Sequence, residues 1–167
     1  MFSVEDTNRS LDIEEVELAP FLESYFYDVI ADSRYDNHDV QLDVPGNMEC
    51  KVLIDINRTI RVLDNLFTNA AKYSGDGTMI KLYARKLDAH QVEIRVIDNG
   101  KGIPKESLDR IFERTYTVAS ARTPGDSGIG LGLAIVKAVV EKEHGTIRVE
   151  SSVGKGAEFI ITLPCGV

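Results

Sequence analysis

Cysteine is scarce in these 167 residues: only Cys50 and Cys165 occur, at a spacing that fits neither a metal-ligand set nor a disulfide framework. A reducing compartment is favoured, with both thiols expected to lie buried and inert. Long apolar runs are missing too. Nothing approaches the roughly 20 consecutive apolar residues that a membrane-spanning helix needs, and Met1 to Ser10 carries no signal-peptide pattern. A cytoplasmic domain that makes no membrane contact of its own is the expectation. Basic residues are outnumbered: 19 Lys and Arg against 27 Asp and Glu leave a formal charge of −8. That balance argues against a nucleic-acid partner, which wants a basic face. It does not exclude a nucleotide, because phosphates are held by local donors rather than by net charge. Internal repeats and low-complexity tracts are absent as well.

What is present suits one domain with a single hydrophobic core, at 43% hydrophobic and 28% charged residues. Leu11 to Val16 alternates loosely and predicts an edge strand. Pro20 stands where a first helical turn tolerates it, ahead of a helix over Phe21 to Ala31. His38 to Val44 and Lys51 to Asp55 read as strands on either side of the turn Pro45-Gly46-Asn47. The strongest helical signal is Ile56 to Tyr73, where Ile56, Ile60, Leu63, Phe67 and Ala70 step by three and four along one face. Thr78 to Leu87 and Gln91 to Asp98 predict a hairpin, Pro104 to Phe112 a short helix, and Leu133 to about Glu143 another helix. Thr146 to Ser151 and Ala157 to Leu163 predict a second hairpin across Gly154-Lys155-Gly156. Thr115 to Ser127 is small and polar with no apolar period, and a loop of that length inside a domain is functional or mobile. The order fits an α/β fold, a two-layer sandwich whose mixed sheet is covered on one face by helices.

Three segments carry chemistry. Asp98-Asn99-Gly100-Lys101-Gly102-Ile103 puts a carboxylate at the end of an alternating strand, where it can accept from a base amino group. Turn capping is the plainer role for Asp98, but two nearby glycines add a reason for close approach by a ligand. Gly128-Ile129-Gly130-Leu131-Gly132-Leu133 opens an apolar-periodic helix with three residues lacking Cβ, a place where backbone N–H groups can meet phosphate. No Gly-Lys-Ser/Thr ends it, so it is not a Walker A loop, and the spacing is wrong for a dinucleotide fingerprint. On the long helix, Asn65, Asn69 and Lys72 share one stripe, with Arg58 and Arg61 nearby. Amide oxygens can ligate a hard cation such as Mg²⁺, and an ammonium can neutralise phosphate. A solvated face is the alternative, which two poorly helix-forming asparagines weaken. Together the three segments suggest a purine nucleoside triphosphate site.

Leu63 to Ser74 resembles the N box of sensor histidine kinases, the transmitters of two-component systems. Asp98 to Pro104 resembles their G1 box, Ile111-Phe112-Glu113-Arg114 their F box, and Gly128 to Val136 their G2 box. Gly154 to Phe159, continuing to Leu163-Pro164, is similar to the family's usual ending. The resemblance covers nearly the whole chain in order. It implies a Bergerat ATP-binding fold over residues 11–167, with 1–10 a linker remnant. It implies Mg²⁺ on Asn69, supported by Asn65, with Lys72 reaching the phosphates, Tyr73 packing on adenine and Asp98 accepting from its amino group. Gly100 and Gly102 would let backbone approach the nucleotide, beside Ile103. Thr115 to Ser127 would be an ATP lid, and Gly128, Gly130, Leu131, Gly132 and Leu133 its hinge and phosphate-facing helix mouth. Arg114 and Arg122 are the implied cations for the γ-phosphate. The implied partners are ATP, the dimerisation domain that carries the phosphoacceptor histidine, and a response regulator; a membrane-anchored parent kinase is compatible.

The chain departs from the pattern at Thr115, Tyr116 and Thr117, where Phe, Tyr and Arg are frequent, at Ala157 for threonine, and at Thr146 for a second glycine. None of His38, His90 and His144 opens a helix suited to a phosphoacceptor, so the chain reads as a catalytic domain alone. A gyrase-type hydrolase would carry a glutamate base where Asn65 stands, and Asp64 points about 100° away around the helix. An anti-sigma serine kinase and a nucleotide-binding module without phosphotransfer are the other readings.

Overall fold

The computed structural model describes residues 10–75, 77–113 and 128–166. In order these form β1 (Glu14–Glu17), α1 (Leu18–Ile30), β2 (Asp39–Asp43), β3 (Lys51–Ile54), α2 (Ile56–Ser74), β4 (Met79–Lys86), β5 (Gln91–Asp98), α3 (Lys105–Leu108), α4 (Gly128–Lys142), β6 (Thr146–Ser151) and β7 (Ala157–Pro164). Five strands make one sheet in the order β2-β4-β5-β7-β6, with β2 parallel to β4 and the other neighbours antiparallel. A parallel pair needs a crossover connection. Here β3 and α2 supply it.

Strand alternation sorts the sheet's two faces. Ile80, Leu82, Ala84, Val92, Ile94, Val96, Phe159, Ile161 and Leu163 are buried on the face that meets α2 and α4. The opposite face carries charge, with Arg95 bridging Glu93 at 2.7 Å and Glu158 at 2.9 Å. This is the two-layer α/β sandwich that the element order predicts.

Helix α2 is the principal core element. Asp55 caps it, accepting from the Arg58 N–H at 3.1 Å. Phe67 is fully buried, with the rings of Tyr25 and Tyr35 edge-on at 5.7 and 6.0 Å. Val62 and Leu66 are buried as well, so the apolar face is broader than the five expected positions.

Three expectations need correction. The first strand is Glu14–Glu17, later and shorter than Leu11 to Val16, and it is an edge strand of a separate two-stranded sheet with β3. Pro104 to Phe112 is helical only over Lys105–Leu108. Turns follow, which lets Ile111 bury and sets Phe112 edge-on to Phe159 at 6.3 Å. Helix α4 starts at Gly128, not Leu133. The apolar period runs back from Val140 through Val136 and Leu133 to Ile129, and the low helix propensity of the glycines hides it.

Thr146 begins β6, and the left-handed position lies earlier, at His144 (φ 64°). The Gly145 N–H returns to Val140 O at 2.9 Å, as in a Schellman ending with histidine where glycine is preferred. His144→Gly is expected to stabilise the chain by about 1 kcal/mol, the left-handed penalty less the extra entropy of an unfolded glycine. Urea unfolding that shows no gain would refute this.

Candidate functional site

The site is built around the C-terminal end of β5. Asp98 is half-buried and its carboxylate accepts from the Gly100 N–H at 2.9 Å and from the Ala157 N–H. Burial raises its pKa, and these two backbone donors pull the other way. A carboxylate has about four acceptor sites, so two donors leave room for an exocyclic amine.

The glycines beside Asp98 have their own packing reasons. A Cβ at Gly100 would stand 2.2 Å from Ser74 Cβ, so the loop after β5 lies directly on the end of α2. Gly102 has φ 76°, and its Cβ would meet Ser152 O at 2.1 Å. Packing within the protein is thus a sufficient reason for glycine at both positions. Ile103 is placed by Ser151, whose Oγ accepts from the Ile103 N–H at 2.7 Å and donates to Gly156 O at 2.6 Å. Ser74 and Ser151 are positioning groups that the sequence does not reveal, since Gly100 and Ile103, which they place, lie far along the chain.

Helix α2 connects this end of the sheet to the second glycine segment. Asn65 and Asn69 are half-buried on α2, and Lys72 is exposed. A Cβ at Gly132 would sit 3.5 Å from Asn65 Oδ1, so the start of α4 lies against the asparagine stripe. Leu133 turns inward and is 5% exposed. The structure thus sets Gly132 of α4 against Asn65 of α2, and the Gly100 loop that follows Asp98 against the C-terminal end of the same helix at Ser74. Tyr73, Gly128, Gly130 and Leu131 are helical, but their surroundings lie outside the described residues, as do Arg114, Arg122 and the expected lid over 115–127.

Asp64, the one carboxylate adjacent to the asparagine stripe, is already engaged: the Tyr25 hydroxyl donates to its Oδ1 at 2.7 Å. It faces α1, as the helical angle predicts. Among the described residues no cluster of three His, Cys, Asp or Glu side chains could hold a metal. A bound cation here would rest on amide oxygens and on the ligand's own phosphates, a donor set that suits Mg²⁺.

The two cysteines do meet, sharing a hydrogen bond, and burial pushes the Cys50 thiol up to about 12. No described helix is long and apolar enough to cross a membrane.

Comparison with known proteins shows the family. Residues 54–167 match the family of histidine kinase-, DNA gyrase B- and HSP90-like ATPases. Sensor protein kinase WalK of Staphylococcus saprophyticus is 44% identical over 115 residues, which is 68% of this chain and 19% of that protein. Sensor-like histidine kinase SenX3 of Mycobacterium bovis is 41% identical over 131 residues, 77% of this chain and 31% of SenX3. The chain therefore spans under a third of these curated relatives. Among solved structures, the mycobacterial sensor histidine kinase MprB is 30% identical with a TM-score of 0.78, covering 92% of this chain and 99% of that one. The chain belongs to the histidine kinase-, DNA gyrase B- and HSP90-like ATPase family, and within it is a catalytic, ATP-binding domain of the sensor histidine kinase type.

Proposed function

We propose that the chain binds Mg²⁺-ATP along α2 and donates the γ-phosphate to a histidine on a separate dimerisation domain, for relay to a response regulator. The observation that supports this is the placement of Gly132 of α4 against Asn65 of α2, in a domain whose Asp98 carboxylate accepts from two backbone donors and keeps acceptor capacity for an amine. Asp98 accepts from the adenine amino group. Asn69, with Asn65 beside it, ligates the cation, and Lys72 neutralises phosphate. Tyr73 packs on the base, and Arg114 and Arg122 serve the γ-phosphate. Relatives support the two ends of this path. Full-length ShkA, 26% identical with a TM-score of 0.78, is solved with AMPPNP, and ThkA, 26% identical with a TM-score of 0.72, is solved with the response regulator TrrA. Residues 11–167 act as the catalytic domain and 1–10 as its link to the histidine-bearing helices.

Kinase chemistry is favoured over hydrolase chemistry because Asn65 stands where a hydrolase carries its glutamate base, and the adjacent Asp64 faces α1 and is held by the Tyr25 hydroxyl. The chain alone is expected to bind ATP with micromolar affinity, about −8 kcal/mol, yet hydrolyse it slowly. Asp98→Asn is expected to weaken binding about thirty-fold, since an amide presents a donor to a donor. Calorimetry with unchanged affinity in that variant would remove Asp98 from the site. A dimerisation domain supplied in trans should receive acid-labile phosphate on histidine; acid-stable label on this chain's own serines would favour the serine-kinase reading instead.

A further inference from the structure

At the end of α2 opposite Ser74, two buried carboxyl groups join three parts of the chain. Asp55 is 6% exposed, and its Oδ2 accepts from the Asp12 N–H at 2.9 Å, in the segment leading into β1. Arg58 Nε lies 3.6 Å from the same oxygen. Glu143, 4% exposed and the first residue after α4, accepts through Oε2 from the Asp55 N–H at 3.0 Å and from Thr59 Oγ1 at 2.8 Å. One side chain thus ties the end of α4 to the first turn of α2, and one backbone donor ties the leading segment to both.

These two helices hold the nucleotide residues between them, with Gly132 against Asn65. We propose that Asp55 and Glu143 are positioning residues: their clasp sets the spacing of α4 on α2, and with it the affinity of the nucleotide site. A shift of Asp12 in the leading segment is transmitted through the same clasp. This inference rests on the nucleotide reading above.

Protonation supplies the means of adjustment. Asp55, the cap of α2, is the charged group that acts on Glu143; Arg58 and the Asp12 N–H in turn contact Asp55, and His144 follows Glu143 in the chain. Burial pushes Glu143 up to about 7, the Asp55 charge adds to the rise, and the bonds from Thr59 and the Asp55 N–H oppose it. Once ionised, Glu143 stands beside a second carboxylate inside the protein. Separating the end of α4 from the start of α2 relieves that repulsion, and it carries Gly132 away from Asn65.

The test uses the full chain, Mg²⁺ and AMPPNP, with affinity measured by calorimetry from about pH 5.5 to pH 8. Glu143→Gln keeps an acceptor oxygen without the charge. The ratio of variant to wild-type affinity cancels titration of the nucleotide's own phosphates. That ratio is expected near one at the acid end and about five-fold in favour of glutamine at the alkaline end. Glu143→Ala leaves the Asp55 N–H and Thr59 hydroxyl unpaired and is expected to weaken binding about ten-fold at both ends, with glutamine rescuing it. Asp12→Pro removes the backbone donor to Asp55 together with the Asp12 carboxylate and is expected to cost about two-fold, whereas Asp12→Asn removes the charge alone and is expected to leave affinity unchanged.

Amide exchange over residues 132–136, corrected for intrinsic rate, is measured without nucleotide. It is expected to quicken from acid to alkaline pH in wild type and to stay level in Glu143→Gln. A chain that binds no AMPPNP sinks the nucleotide reading, and the exchange measurement still decides the clasp. If Glu143→Gln raises the melting temperature but keeps the wild-type pH profiles of affinity and exchange, Glu143 is only structural and the proposal fails.

Discussion

Glu143→Gln is expected to raise the unfolding free energy by about 3 kcal/mol at pH 8 and to leave it unchanged below about pH 4.5. The sign follows from where the proton is held. A carboxyl with a native value of about 7 and an ordinary unfolded value of 4.5 binds its proton more tightly when folded. Below both values it is neutral in both states, and glutamine gains nothing. As pH rises between them, the unfolded chain ionises without penalty while the folded one resists, so wild-type stability falls. Above about 7 the folded state carries a desolvated charge and the loss is complete. Thermal unfolding of both proteins across this range reads the difference, roughly 6–12 °C at the alkaline end for a chain this long. A gap of constant size at every pH would show that packing, and not charge, distinguishes the two.

The second large effect concerns Gly156→Ala. Gly156 has φ 85°, and a Cβ there would stand 2.0 Å from Asp98 O and 2.8 Å from Asn99 Cα. Both obstacles are backbone and neither can rotate aside. The left-handed conformation alone costs an alanine about 1–2 kcal/mol, and the overlap adds a similar or larger amount. The total is expected to be roughly 3 kcal/mol or more, with nucleotide affinity also reduced because Asp98 must move. Gly154→Ala is the internal control, with a similar φ of 83° and nothing within 4 Å of the added atom. It is expected to cost only the conformational share. Equal losses in urea unfolding would mean that the contact with Asp98 O is not tight.

Much of the frame was legible in the sequence because it is local. The three-and-four step of α2, the β4–β5 hairpin and the carboxylate closing β5 need only neighbouring residues to be recognised. Partners across the chain were not legible. Nothing in Leu11 to Val16 says that its strand joins β3 and leaves the main sheet alone, since alternation names a strand and not its neighbour. The glycines after Asp98 suggest close approach without naming what approaches, and the packing of Gly100 on Ser74 and of Gly102 on Ser152 involves residues far along the chain. In the sequence Glu143 marks only the approximate end of a helix. Its burial against Asp55 joins positions 88 residues apart, which no periodicity encodes.

The place of β7 in the sheet also bears on how the domain comes into being. Residues 157–164 lie between β5 and β6, so β5 keeps a bare edge until that stretch has been synthesised and has slotted in. Bare edges invite pairing with other chains, and late long-range pairing is slow. The same event brings the Ala157 N–H to the Asp98 carboxylate. A nascent chain stalled before residue 157 therefore leaves Asp98 short of a donor and β5 open to strangers, and the docking of β7 cures both.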